Sequence, residues 1–162
     1  MKREFQLRET VEESDRQAVK DVLSSSGFFY DYEIEVALEL VDERLAKPKK
    51  SGYFFIFAET ADKKVLGFTC FGPIACTASS YDLFWVAVHN DCRGMGIGKE
   101  LLTATEKAIK KLGGKRIYIE TSSRPLYEPT RKFYEKCGYP LEATLKNFYG
   151  PDDSKCIFAK EI

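Results

Sequence analysis

The sequence has little of what marks several large classes of protein. No apolar run approaches the ~20 residues that a membrane-spanning helix needs, so a helical membrane span is excluded. Neither sign of charge predominates: Lys and Arg number 25 and Asp and Glu number 25. That balance argues against nucleic acid or an acidic membrane surface as the main partner. The chain has 1 histidine, and its 5 cysteines (Cys70, Cys76, Cys92, Cys137 and Cys156) form no C-x-x-C pair. No metal site is therefore expected, and reduced thiols in a cytoplasmic protein are the simple expectation. The opening Met1-Lys2-Arg3-Glu4-Phe5 lacks the apolar stretch of a secretory signal, which points the same way. Repeats, linkers and low-complexity segments are missing too. The single charge run, Lys47-Pro48-Lys49-Lys50, reads as a solvated loop.

What is present fits one domain over residues 1–162. With 162 residues and 44% apolar residues, such a chain can bury roughly two-thirds of its surface. Residues 3–9 alternate and predict an edge strand. Thr10 to Ser25 carries Val11, Ala18, Val19, Val22 and Leu23 at helical spacing, with Ser14 or Thr10 available as a cap. Tyr32 to Ala46 places Ile34, Ala37, Leu38, Val41 and Leu45 on one helix face. Strands are expected over 53–60 and 65–74 as a hairpin, then over 82–88. A long helix over 96–112 is stopped by Gly113-Gly114. A strand over 116–121, a helix over 128–137 and strands over 141–149 and 155–160 follow. The order β-α-α-β-β-β-α-β-α-β-β is a mixed α/β (α+β) pattern.

The most informative stretch is Arg93-Gly94-Met95-Gly96-Ile97-Gly98-Lys99. It follows the apolar run Leu83-Phe84-Trp85-Val86-Ala87-Val88 and opens a helix. Alternating glycines remove the Cβ atoms that would block approach to the backbone. The first-turn N–H groups of a helix lack intrahelical partners, and the helix dipole adds partial positive charge there. Arg93 adds a full one. A phosphate or pyrophosphate is the natural ligand. A Walker-type loop is disfavoured, because only three residues separate Gly94 from Gly98 and Lys99 is followed by Glu100 rather than a hydroxyl. The dinucleotide fingerprint fails as well, since Lys99 stands where its third glycine belongs.

The pattern R-G-x-G-I-G after an apolar strand resembles the coenzyme A pyrophosphate loop of the GNAT superfamily of N-acyltransferases. Pro129-Thr130-Arg131-Lys132-Phe133-Tyr134-Glu135-Lys136-Cys137-Gly138-Tyr139 resembles the family's second motif, a helix ending in Y-E-x-x-G-[FY]. The resemblance implies a mixed, mostly antiparallel central sheet flanked by helices and splayed between strands four and five. It implies acetyl-CoA as acyl donor, with Val86, Ala87, Val88 and Thr121 beside pantetheine and Arg93, Gly94, Met95, Gly96, Ile97, Gly98 and Lys99 around the pyrophosphate. It makes Tyr134 the acid for the leaving thiolate. Glu120 matches the base of relatives that acetylate protein N-termini, and Asp82 the base position of histone-acetylating relatives. His89 and Cys92 flank the loop, one as a turn residue and the other as an ordinary small residue. Tyr127 departs from the pattern, standing where many relatives carry an asparagine that assists coenzyme A binding.

The expected function is transfer of acetyl from acetyl-CoA to a primary amine of a small molecule, amino acid, peptide or protein, by a monomer or homodimer. The alternative is a non-catalytic coenzyme A-binding or sensor domain of the same fold. The segment Gly27-Phe28-Phe29-Tyr30-Asp31-Tyr32-Glu33 offers aromatic rings and acids that suit a cationic acceptor. A hydrophobic staple with surface acids explains the same residues. The hairpin Asn147 to Asp153 is a further candidate lining.

Overall fold

The computed structural model describes residues 4–162. Arg3, at the start of the expected first strand, lies outside them. The elements run β1 (Gln6–Arg8), α1 (Asp15–Ser26), α2 (Asp31–Ala46), β2 (Phe54–Glu59), β3 (Val65–Pro73), β4 (Ser80–Val88), α3 (Ile97–Lys111), β5 (Arg116–Ser122), α4 (Glu128–Lys136), β6 (Leu141–Gly150) and β7 (Asp153–Glu161). Short 3-10 turns at Asn90–Cys92 and Pro125–Tyr127 precede α3 and α4. The strands form one seven-stranded sheet in the order β1-β2-β3-β4-β5-β7-β6. β4 and β5 run parallel, whereas β1–β2, β2–β3, β5–β7 and β6–β7 are antiparallel. Among the described residues no helix is long and apolar enough to cross a membrane.

The chain packs as two compact units, one holding the residues up to Gly72 with Trp85–Lys107, the other Pro73–Phe84 with Ala108–Ile162. In the first unit, α1 buries Val19, Val22 and Leu23, and α2 buries Ile34, Ala37, Leu38 and Val41. These positions recur at the three- and four-residue spacing of one helix face. They join Phe55, Phe57, Phe68 and Cys70 of the sheet in one core, where each fully buried large side chain contributes about 1.5–3 kcal/mol. Ser14 stands at the start of α1 but makes no side-chain cap bond. Asp15 ties down the turn before the helix: its carboxylate accepts from the Glu12 N–H at 2.7 Å and from both ends of the Arg8 guanidinium at 2.8 Å. Arg8 also donates to Glu59 at 2.9 Å, so three nearly buried charges satisfy one another. β3 approaches the end of β4 closely, and a Cβ added at Gly67 would lie 2.7 Å from the Ala87 carbonyl oxygen and 3.2 Å from Val88 Cα.

In the second unit the parallel register covers Ser80↔Arg116, Tyr81↔Ile117 and Asp82↔Tyr118, and stops there. β5 continues to pair on its other side with β7 as far as Ser122↔Lys155. This is the divergence of the fourth and fifth strands that the resemblance implied. α4 ends in a Schellman motif: the Tyr139 N–H donates to the Tyr134 carbonyl and the Gly138 N–H to the Glu135 carbonyl, each at 3.0 Å. Gly138 has φ 87°, and Tyr139 is wholly buried. α3 ends the same way on Gly113 and Gly114.

Candidate active site

The first unit carries the loop. β4 ends at Val88, and the His89 N–H donates to the Leu66 carbonyl at 2.7 Å. His89 then serves the turn, its Nδ1 accepting from the Asp91 N–H at 3.2 Å. Ser25 Oγ of α1 accepts from the Asn90 N–H at 3.0 Å, fixing the same turn from another side. Gly94 and Gly96 both have φ 79°, a left-handed conformation that other residues adopt at a cost. A Cβ added at either would meet no atom within 4 Å, so the space beside the loop is open to a ligand. The first helical bond runs from the Glu100 N–H to the Gly96 carbonyl. Helix geometry therefore leaves the N–H groups of Ile97, Gly98 and Lys99 without intrahelical partners. Buried Ile97 anchors the helix start, whereas Arg93, Gly94, Met95, Gly96 and Lys99 are exposed. Open glycines, three outward N–H groups and two cations fit a pyrophosphate. Arg93 rests over the Phe28 ring, 5.2 Å from its centroid.

The aromatic segment after α1 divides in its roles. Phe29 packs edge-on against Trp85 at 5.3 Å, and Glu33 accepts from the Tyr30 N–H at 2.8 Å to cap α2. Tyr30 and Tyr32 stack on each other at 5.4 Å and are 54% and 67% exposed. Only these two rings of the segment remain largely open to solvent.

The second unit carries the acid and base candidates. Asp82, Tyr118, Glu120 and Ser122 share one face of the sheet, because Asp82 is in register with Tyr118 and strand residues alternate. Thr121 points to the opposite, buried face with Ile117 and Ile119. Burial raises the Asp82 carboxyl above its ordinary range; nearby Glu120 adds to this and Lys155 opposes it. Glu120 is held in an ion pair with Lys155 at 2.9 Å. Lys155 carries no local sequence signal of its role, because the β5–β7 register that brings it to Glu120 is invisible in a linear sequence. Tyr149, from β6, has its phenol pushed up to about 12 by burial first, then by Glu120 and Asp153.

Tyr134 is 6% exposed and packs against Phe133 and Phe158, with ring centroids 5.8 Å away in each case. Burial pushes its phenol well up, which keeps the proton on the oxygen at neutral pH. From within α4, Arg131 donates to the Ser122 and Arg124 carbonyls at 2.7 and 2.9 Å, and Asp153 accepts from Ser122 Oγ and pairs with Arg124. Tyr127 is buried at the end of this turn, with Arg124 over its ring at 5.4 Å.

The family model described as the acetyltransferase (GNAT) family matches residues 16–139. A comparison with curated proteins finds no match. Among solved structures, one from Desulfovibrio desulfuricans, provisionally described as an acetyltransferase of the GNAT family, superposes with a TM-score of 0.94 at 39% identity, over 97% of this chain and 98% of that one. An aminoglycoside 6'-N-acetyltransferase complexed with coenzyme A has a TM-score of 0.76 at 22% identity, over 96% of each chain. The ribosomal-protein-S18-alanine N-acetyltransferase of Escherichia coli has a TM-score of 0.72 at 17% identity, over 98% of this chain and 94% of that one. These last two likenesses are of fold. Taken with a loop whose open glycines and free helix start suit an anion, a family match over most of the sequence makes the conclusion direct: the chain belongs to the GNAT family of acetyltransferases and uses acetyl-CoA as its acyl donor.

Proposed function

We propose that residues 1–162 act as one catalytic domain that acetylates a primary amine, cationic when free, by direct attack of that amine on the donor. The observation that carries this reading is the carboxylate pair Asp82 and Glu120 on one face of the sheet, with Asp82 disposed to hold a proton. An ammonium ion has no lone pair, so its proton must leave before attack. A carboxylate raised by burial suits that task near neutral pH. The stacked and exposed rings of Tyr30 and Tyr32 favour a cation over an anion as acceptor.

Acetyl-CoA supplies a thioester whose acetyl group an amine can take. The backbone of residues 93–99 holds the pyrophosphate, with Arg93 and Lys99 countering its charge and the end of β4, Val86 to Val88, lying along the pantetheine. A carboxylate of the Asp82–Glu120 pair accepts the amine proton. Tyr134 gives its hydroxyl proton to the departing sulfur. Fixing the donor at both ends supplies several kcal/mol of orientation, up to about 7–11 at best. A screen of small amines, amino acids and peptides, read by coenzyme A release, tests the reading. Turnover of at least one amine class is expected. Binding of acetyl-CoA with no release beyond background hydrolysis across the screen would leave a coenzyme A-binding domain without acceptor chemistry.

A further inference from the structure

The geometry around Glu120 separates the two carboxylates. β5 and β7 pair with Glu120↔Ile157 and Ser122↔Lys155, so Lys155 is the diagonal neighbour of Glu120 on the same face. Lys155 Nζ lies 2.9 Å from Glu120 Oε2 and 3.9 Å from the centroid of the Phe148 ring. Its side chain is only 13% exposed, against 45% for Glu120. An ammonium sheltered between a carboxylate and an aromatic face has few other places to go. Asp82, on the same face, has no ion pair or side-chain hydrogen bond among the described residues and feels Glu120 and Lys155 only across space.

We propose that Lys155 is a positioning residue for acetyl transfer: its ion pair withholds Glu120 from proton transfer and leaves Asp82 as the base that takes the amine proton. This deepens the proposed function and rests on its claim that one of these two carboxylates is the base. A proton arriving at Glu120 must break the ion pair and strand a sheltered ammonium. At Asp82 it displaces nothing and relieves repulsion from Glu120. The step balances: an N–H bond of the ammonium breaks and an O–H bond forms on Asp82, the freed lone pair attacks the acetyl carbon, the C–S bond breaks as the sulfur takes the Tyr134 proton, and the second proton lost by the nitrogen restores the Tyr134 hydroxyl. The charged and titratable groups on this face are Asp82 on β4, Arg116, Tyr118 and Glu120 on β5, Lys155 on β7 and Tyr149 on β6. Tyr149, pushed up to about 12, stays neutral through the working range.

The test is the pH profile of kcat/KM, with one amine from the screen, for Lys155→Met, Lys155→Arg, Glu120→Gln and Asp82→Asn. Lys155→Met removes the positive charge that favours ionised Asp82, so the acidic limb should move up by about one pH unit. Lys155→Arg keeps the charge and should keep the wild-type limb. Glu120→Gln should stay active with its limb moved down, since a repelling charge is gone. Asp82→Asn should lose the limb. A folded Lys155→Met protein with an unmoved limb, or a limb lost in Glu120→Gln, would overturn the assignment. An unchanged limb in both Asp82→Asn and Glu120→Gln would instead sink the parent claim of a carboxylate base. Carboxyl-carbon NMR titration of wild type and Lys155→Met reads the same movement of Asp82 with no acceptor. No movement there also overturns the role given to Lys155. If Lys155→Met does not fold, Lys155→Gln serves in its place.

Discussion

Asp82 sits where the fold works against its charge. Burial, then the neighbouring Glu120, raise its carboxyl in the folded chain, with Lys155 offsetting part of that. An unfolded chain would release the proton near pH ~3.9. Between that value and the raised one, the folded state binds more protons than the unfolded state, so stability falls as pH rises through this window and stays lower above it. Asp82→Asn removes the charge and should melt at a higher temperature than wild type at neutral pH. The difference should shrink as the pH is lowered through the carboxylate range. Calorimetric melts of the two proteins across that range check it, and a variant less stable than wild type at neutral pH would contradict the sign. Tyr134 makes the companion case. Its ring is a core residue against Phe133 and Phe158, and its backbone carbonyl anchors the Schellman turn. Tyr134→Phe keeps both, so only the hydroxyl proposed as proton donor is lost. Turnover should drop roughly 10²-fold or more, with acetyl-CoA affinity and melting temperature nearly unchanged. Wild-type turnover, with chemistry shown to be rate-limiting, would return Tyr134 to packing alone.

At the scale of elements, the loop depends on how β3, the end of β4 and the start of α3 are packed within one unit. Gly67 of β3 lets the end of β4 come within touching distance, and an added methyl would press on the Ala87 carbonyl, on Val88 and on Leu101. Gly67→Ala should therefore weaken acetyl-CoA binding from a position outside the loop and destabilise the fold by about 1–3 kcal/mol. Gly96→Val acts differently. No protein atom obstructs the new side chain, but φ 79° strains a β-branched residue and the methyls enter the space open to the ligand. Affinity for acetyl-CoA, measured by calorimetry, should fall at least about tenfold, which is ~1.4 kcal/mol; unchanged affinity in a folded variant would move the pyrophosphate elsewhere.

These elements were largely legible in the sequence, because glycine placement and apolar period are local signals. Gly94, Gly96, Gly113 and Gly138 all take the positive φ expected of such turns. The helix faces around Val19 and Leu38 follow the three- and four-residue spacing. Pairings between distant strands carry no such signal. Arg8 meeting Asp15 and Glu59, and Lys155 meeting Glu120, depend on registers set by folding. Asp15 rather than Ser14 ordering the start of α1 follows from that same Arg8 contact, as does the burial of Thr121 from its place in the register.

For the whole molecule, equal numbers of cationic and anionic residues leave no net charge to draw a polyanion from a distance. On the proposed placement, donor recognition comes from the short-range geometry of residues 93–99 and from the length of donor lying along β4. Acetyl-CoA and ATP both present phosphates, so the loop alone would tolerate either, but only acetyl-CoA carries a pantetheine arm for Val86 to Val88. A ligand at 100 times its dissociation constant stabilises the state that binds it by about 2.7 kcal/mol. For a chain of this size each kcal/mol moves the melting temperature by about 2–4 °C. Saturating acetyl-CoA should therefore raise it by about 5–10 °C, and ATP at the same concentration should do much less. The rise should be largely lost in Gly96→Val and kept in Tyr134→Phe, since one substitution blocks the anion cradle and the other removes only a proton. Equal shifts from acetyl-CoA and ATP would mean that phosphate contacts alone carry the affinity, and that the end of β4 takes no part in holding the donor.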